Sequence, residues 1–305
     1  MRKIVFLSFL FLSLLSCDDL ELTIEDKIIN NDVFVVDPVN QNFGAEGSFC
    51  YGFSEPSTGN KANIDIPLEF PTSVDLSSLL PPIGNQGKQG SCVAWATGYY
   101  LKGFQENLED KNNNIQNPNN LLSPAFIYNQ IKATDCASGS QIPSALELIS
   151  NTGIVTLNEM PYNENECDKQ PTEVQINLAE ENKILTFSYL DGNTLFDQAK
   201  AFLNNSQPIV IAISIDRNHF GKIDTNGDSV YREFENTDGA HAMLVVGYDD
   251  EKSAFKTVNS WGENWGNSGF VWIDYKAFKD VLNTDSEFKI LCEAWVSEDE
   301  ILPAI

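Results

Sequence analysis

A chain of 305 residues has room for one large domain or two modest ones, and its 42% apolar and 11% aromatic content builds a packed core rather than a disordered chain. With 19 Lys and Arg against 44 Asp and Glu, the formal charge of −25 repels phosphate backbones and excludes a nucleic-acid partner. The acidic surplus serves solubility and calls for no specific cationic partner.

The chain opens Met1-Arg2-Lys3, runs apolar from Ile4 to Leu15 and reaches Ser16-Cys17. A basic start before an apolar run too short to cross a bilayer predicts a secretory signal over residues 1–16. Leu14-Leu15-Ser16-Cys17 resembles a bacterial lipobox, which implies lipidation of Cys17 and a place in the bacterial cell envelope, on the periplasmic or the cell-surface side. Ordinary cleavage near Ser16, giving a soluble product, is the alternative. Membrane contact is expected through this N-terminal lipid only, since no later apolar run is long enough to span. Residues 17–69 are acidic and Asn-rich, interrupted by Pro38, Pro56 and Pro67, and read as a tether with a short strand at Val33–Val36. Residues 70–305, from Phe70-Pro71 onward, read as the folded domain.

Helix signals come first in that domain. Ser91 can cap a helix over Cys92–Leu108, Pro124 suits the first turn of another from Ser123 to Lys132, and Ile142–Ser150 supplies a third. The texture then turns to Val, Ile, Phe and Tyr. Strands are predicted over Lys183–Leu190, Pro208–Ile215, Val230–Phe234, Ala242–Tyr248, Ala254–Val258 and Phe270–Tyr275, with one helix at Leu195–Asn204. The fold class is α+β, with a helical lobe over about residues 85–180 and an antiparallel β lobe over about 181–300. An active site belongs in the cleft between two such halves.

The chemistry-bearing residues fit one reaction. Attack by sulfur on a carbonyl needs a thiolate, a base, a group to orient the base, and donors for the oxyanion. Cys92 opens a helix, whose positive end favours a thiolate, although an isolated Cys is more often a buried structural thiol. The chain has two histidines. His241 leads into the apolar run Ala242 to Tyr248 behind the small residues Gly239 and Ala240, which leave the ring accessible at a cleft edge. His219 lies in a polar loop without a sequence partner and reads as a surface or structural residue. Asn259 can accept the imidazole N–H with Trp261 shielding the bond, though standing alone it would pass for a turn residue. Gln86, six positions before Cys92, can donate to the oxyanion together with the Cys92 backbone N–H.

Asn85-Gln86-Gly87-Lys88-Gln89-Gly90-Ser91-Cys92-Val93-Ala94-Trp95-Ala96 resembles the nucleophile segment of the papain-like peptidases. His241 with Val246-Gly247-Tyr248 resembles their histidine segment, and Asn259-Ser260-Trp261-Gly262-Glu263-Asn264-Trp265-Gly266 with Gly269-Phe270 their asparagine segment. His241 follows Cys92 by 149 residues, within the about 130–150 that the family shows. The likeness runs from about Phe70 to Val296. It implies a two-lobed papain-like fold, a cysteine-type peptidase, a protein or peptide substrate, no cofactor and a monomer. Cys92, His241, Asn259 and Gln86 take the roles just described.

Two departures bear on the site. Gln89 stands where the family carries a cysteine bridged beside the nucleophile, and Val93 replaces an aromatic. Cys136 and Cys167 occupy positions resembling a family disulfide, so their pairing is implied, while Cys50–Cys292 follows by elimination only. No CxxC pair supports zinc. Asp224-Thr225-Asn226-Gly227-Asp228 has a superficial likeness to a calcium loop, but Ser229 replaces the required Gly, and Asn226-Gly227 makes a better hairpin turn. The alternatives to endopeptidase action are exopeptidase trimming or acyl transfer by the same chemistry, and a catalytically silent binding lipoprotein.

Overall fold

The computed structural model describes residues 53–56, 59–109, 117–224, 227–283 and 288–299. The signal segment, Cys17, the strand expected at Val33–Val36 and the Cys50 half of the Cys50–Cys292 pairing lie outside them. All described residues belong to one compact unit, Asp32–Ile305.

A continuous helical rod starts at the nucleophile candidate. It comprises α1 (Cys92–Ala94), a π-wound stretch (Trp95–Lys102) and α2 (Gly103–Glu109). The rod is buried almost throughout, so its amphipathic signal is weak and its identity rests on length and packing. Ser91 does not cap it through its side chain, contrary to expectation. That hydroxyl is engaged 2.7 Å from the Tyr162 hydroxyl instead.

Three further helices complete the α-rich half. In α3 (Pro124–Ile131) Ser123 accepts the Phe126 N–H and Pro124 occupies the first turn, as the sequence suggests. In α4 (Ile142–Asn151) Ile142, Ala145, Leu146 and Ile149 line the buried face at three- and four-residue spacing. A short helix that the sequence reading passes over, α5 (Glu173–Ala179), begins with a reciprocal capping box between Thr172 and Gln175. In the β-rich half α6 (Leu195–Asn204) stands at the bounds expected of it.

The strands are β1 (Asn60–Lys61), β2 (Ser73–Asp75), β3 (Thr186–Tyr189), β4 (Ile209–Ile215), β5 (Val230–Tyr231), β6 (Gly239–Asp249), β7 (Ala254–Val258), β8 (Phe270–Asp274) and β9 (Leu291–Glu298). They form one sheet in the order β1-β3-β9-β4-β6-β7-β8-β5, with β2 also paired to β6. Pairing is antiparallel as expected, except for the short parallel pairs β1–β3 and β5–β8. Gly247 lets β2 approach, because a Cβ there would sit 2.3 Å from the Val74 carbonyl oxygen.

The two-residue period of β4 and β6 divides the interior. Val210, Ala212, Ala242, Leu244 and Val246 pack with the rod and α4 in one hydrophobic core. Ile209, Ile211, Ile213, Met243 and Val245 pack with Phe255, Val271 and Phe278 in the other. The central sheet is therefore covered on both faces, which is why β4 is buried along its whole length and apolar apart from Ser214. Cys136 and Cys167 are joined by a disulfide with Cα atoms 5.4 Å apart, as the family resemblance implies.

Candidate active site

Three chain segments meet at the start of the rod. Gln86 N–H donates to the Ser260 carbonyl at 2.8 Å, Gly262 N–H donates to the Gly84 carbonyl at 2.9 Å, and Asn85 and Trp261 form an antiparallel bridge. The loop before the nucleophile is thus sewn by its backbone to the asparagine segment. Tyr100, about two helical turns along the rod, donates its hydroxyl to the Asn259 carbonyl at 2.9 Å and accepts Gly84 N–H at 2.9 Å.

Among the described residues Cys92 is the cysteine that forms no disulfide. Its Sγ accepts the backbone N–H of Ala242 at 3.4 Å, which sets the sulfur against β6 beside His241. The ring of His241 lies with Nε2 2.7 Å from Asn259 Oδ1. Ser260 N–H also points at that oxygen, at 2.7 Å. A backbone N–H requires an acceptor, so the Asn259 amide is oriented with its oxygen between the two, and Nε2 must carry a proton. In the neutral ring Nδ1 is then the basic nitrogen.

The aromatic cover is denser than the sequence suggests. Trp261 lies over His241 with ring centroids 4.5 Å apart, and Phe220 contacts the imidazole at 6.5 Å while packing on Trp261 and Trp265. His241, Asn259, Cys92 and Gln86 are all 0% exposed, which corrects the expectation of an imidazole accessible at a cleft edge. The small residues Gly239 and Ala240 do not set exposure here; the rings packed from other segments do. Burial pushes the His241 pKa down to about 4 against the opposing pull of the Asn259 hydrogen bond, so the ring is neutral at ordinary pH in this form.

Gln86 is held at both ends of its amide. Oε1 accepts the Ser260 hydroxyl at 2.6 Å, and Nε2 donates to the Gln89 carbonyl at 2.9 Å. Ser260 is a functional candidate that the sequence reading quotes in its motif without assigning it a task. A cavity of about 680 Å³ is lined by Asn85 and Gly87, the sequence neighbours of Gln86, together with Tyr162 and Glu164.

His219 stands apart from this cluster. Its Nδ1 lies 2.9 Å from Asp216 Oδ2, so the partner missing from a linear reading is the carboxylate three residues earlier, and the residue serves its own loop. Asp224 Oδ1 accepts the Asp228 N–H at 3.0 Å. Among the described residues no group of His, Cys, Asp or Glu is placed to hold a metal ion.

Comparison with known proteins agrees with the geometry. The model for the papain family of cysteine proteases matches residues 70–287. An uncharacterized peptidase C1-like protein, L477, of Acanthamoeba polyphaga mimivirus is 28% identical over 221 residues, covering 68% of this chain and 69% of the relative. Mexicain of Jacaratia mexicana is 26% identical, over 67% of this chain and 88% of the relative. Among solved structures, xylellain, a cysteine protease from Xylella fastidiosa, superposes with a TM-score of 0.63 at 25% identity, over 86% of this chain and 97% of that one. The recombinant stem bromelain precursor shares the fold with a TM-score of 0.62 at 21% identity, over 86% and 79% of the two chains. With a family match over most of its length and the three motif segments joined in space, the chain belongs to the papain family of cysteine proteases and is a cysteine peptidase.

Proposed function

We propose that this peptidase works through a Cys-His-Asn acyl-enzyme mechanism on protein or peptide substrates. The observation that carries the reading is the contact of Cys92 Sγ with the Ala242 N–H, next to an imidazole whose far nitrogen is fixed by Asn259. The thiol proton passes to His241 Nδ1 as the sulfur bonds to the substrate carbonyl carbon. The oxyanion accepts hydrogens from Gln86 Nε2 and from the Cys92 backbone N–H at the start of the helix. Collapse breaks the C–N bond, the amine leaves with the proton from His241, and a thioester remains. Water then adds to the thioester carbonyl while Nδ1 takes its proton, and expulsion of the acid returns that proton to sulfur.

The burial of all four residues requires the site to open before a peptide enters. That same burial is the specific observation in favour of the silent binding alternative. A diverse peptide pool incubated with wild type and Cys92→Ala decides between them. Cleavage by wild type and none by the variant is expected; a folded wild type that cleaves nothing leaves only the binding role. Product masses separate internal cleavage from terminal trimming and from transfer to an added amine.

The placement is proposed as well. Residues 1–16 act as an export signal, Cys17 carries lipid at the bacterial envelope, residues 17–69 form the tether and residues 70–305 the peptidase domain. Support comes from the basic start and apolar run of residues 1–15, the Leu14-Leu15-Ser16-Cys17 ending and the acidic, Asn-rich composition of 17–69. Cys17→Ser should move the protein from the membrane fraction to the soluble one, and unchanged fractionation would remove the anchor.

A further inference from the structure

The two oxyanion donors proposed above sit six positions apart, joined by a loop from Gln86 to Ser91 that has no regular secondary structure. Within it Gln86 Nε2 donates to the Gln89 carbonyl at 2.9 Å, Gln89 N–H reaches the Gln86 carbonyl at 3.4 Å, and Gly87 N–H turns back to Asn85 Oδ1 at 2.9 Å. Donors must be held to within a fraction of an ångström to be effective, so such a loop needs external struts. Ser260 supplies one from the β-rich half. A second comes from the α-rich half, from residues 162–164, just before the disulfide-bonded Cys167.

The Tyr162 hydroxyl lies 2.8 Å from the Gln86 carbonyl oxygen and 2.7 Å from Ser91 Oγ. A carbonyl cannot donate, so the single phenolic hydrogen goes to Gln86, and Ser91 must donate its own hydrogen to Tyr162. One atom thereby ties the residue carrying the side-chain donor to the residue that precedes the backbone donor. Neighbouring contacts reinforce the grip. Gln89 Nε2 reaches the carbonyls of Asn163 at 3.5 Å and Glu164 at 3.4 Å, and the Glu164 carboxylate accepts the Lys88 N–H. Gly87, at φ +59°, leaves room for that carboxylate, which a Cβ would strike. The Tyr162 ring meets Trp95 of the rod edge-on at 5.0 Å. Burial pushes the phenol pKa up to about 12, which keeps its hydrogen in place through the whole working range.

We infer that Tyr162 is a positioning residue that spans the loop between Gln86 and Ser91 and holds the two oxyanion donors at their working separation. The inference rests on the acyl-enzyme reading of Cys92. Tyr162→Phe keeps the ring against Trp95 and removes both hydroxyl bonds. Two reactions of Cys92 in the full-length protein separate positioning from folding. Iodoacetamide alkylates the sulfur with loss of iodide and forms no oxyanion. A peptide aldehyde adds the thiol across its C=O, with sulfur to carbon and the proton to oxygen, and needs the donors.

For Tyr162→Phe, aldehyde binding and kcat should both fall by about ten- to a hundredfold, while KM and the alkylation rate stay within about twofold of wild type. Ser91→Ala, which removes one leg, should show the same split in smaller measure. Aldehyde binding and alkylation falling together in both variants would mean a disordered loop, and no change in either would mean no strut; both outcomes overturn the inference. A wild type that responds to the aldehyde while Tyr162→Phe matches it overturns the strut alone. A wild type that is alkylated but ignores aldehyde and peptides alike removes the peptidase mechanism, and the strut with it.

Discussion

Buried neutral His241 should make this protein acid-sensitive in a defined pH window. Its pKa is about 4 in the folded chain against an ordinary 6.5, because burial penalises the charged ring more than Asn259 favours it. Between those values the unfolded chain binds a proton that the folded chain does not, so lowering the pH favours unfolding. The contribution is whole above 6.5, erodes as pH falls towards 4, and is exhausted below that. A shift of this size is worth at most about 3 kcal/mol. Between about pH 8 and about pH 5 the loss should be about 2 kcal/mol. For a domain of this size that lowers Tm by about 4–8 °C.

The assay is thermal or urea unfolding of wild type and His241→Gln at both pH values. Gln can keep a bond to Asn259 and does not titrate. Asp75, Asp216 and Asp250 have pKa values held below the ordinary 3.8, so their stabilisation is lost only at still lower pH. Glu293 is raised by burial and acts with the opposite sign, gaining stability as acid protonates it. These groups are common to both proteins and cancel in the comparison. Wild type should lose about 2 kcal/mol more than the variant over that interval. Equal losses in the two proteins would mean that His241 does not titrate between the folded and unfolded states in this interval.

Three other outcomes follow from the contacts. Ser260→Ala removes a buried bond to Gln86 worth about 1 kcal/mol, so kcat/KM should fall about fivefold in steady-state peptide hydrolysis. Replacing both Cys136 and Cys167 with Ser opens a loop of sequence separation 31 and should lower the urea-derived stability by about 3–4 kcal/mol. Lys102, only 2% exposed, pairs with Glu106 and Asp299. Lys102→Met leaves two carboxylates partly shielded from water, and chemical denaturation should show a loss of about 1–3 kcal/mol, below the cost at a fully enclosed pair.

Much of this arrangement is legible in the linear sequence, for reasons of locality. Cys92 at a helix start, His241 at the head of an apolar strand and Asn259 beside Trp261 each carry their context within a few residues. The seven buried residues of β4 announce a strand covered on both faces, and Leu195–Asn204 carries a full helical period. What escapes the reading depends on segments far apart. Tyr162 acts on Gln86 and Ser91 from 76 and 71 residues away, and nothing around it in sequence indicates those partners. The burial of His241 comes from Phe220 and Trp261, and its neighbours Gly239 and Ala240 point the other way. The strand expected over Val230–Phe234 shortens to Val230–Tyr231, since only these residues find a partner in β8. One miss was avoidable: Thr172 and Gln175 form a capping signal readable in sequence, at the start of α5.

The sulfur of Cys92, and no other group, should form the covalent bond to substrate. The check is to incubate the folded protein with a peptidyl epoxide, digest it and locate the mass increment. A single stoichiometric adduct is expected on the peptide containing Cys92, formed far more slowly in His241→Ala. An enzyme that cleaves peptides yet shows no adduct at Cys92, or keeps its turnover in Cys92→Ala, would contradict it.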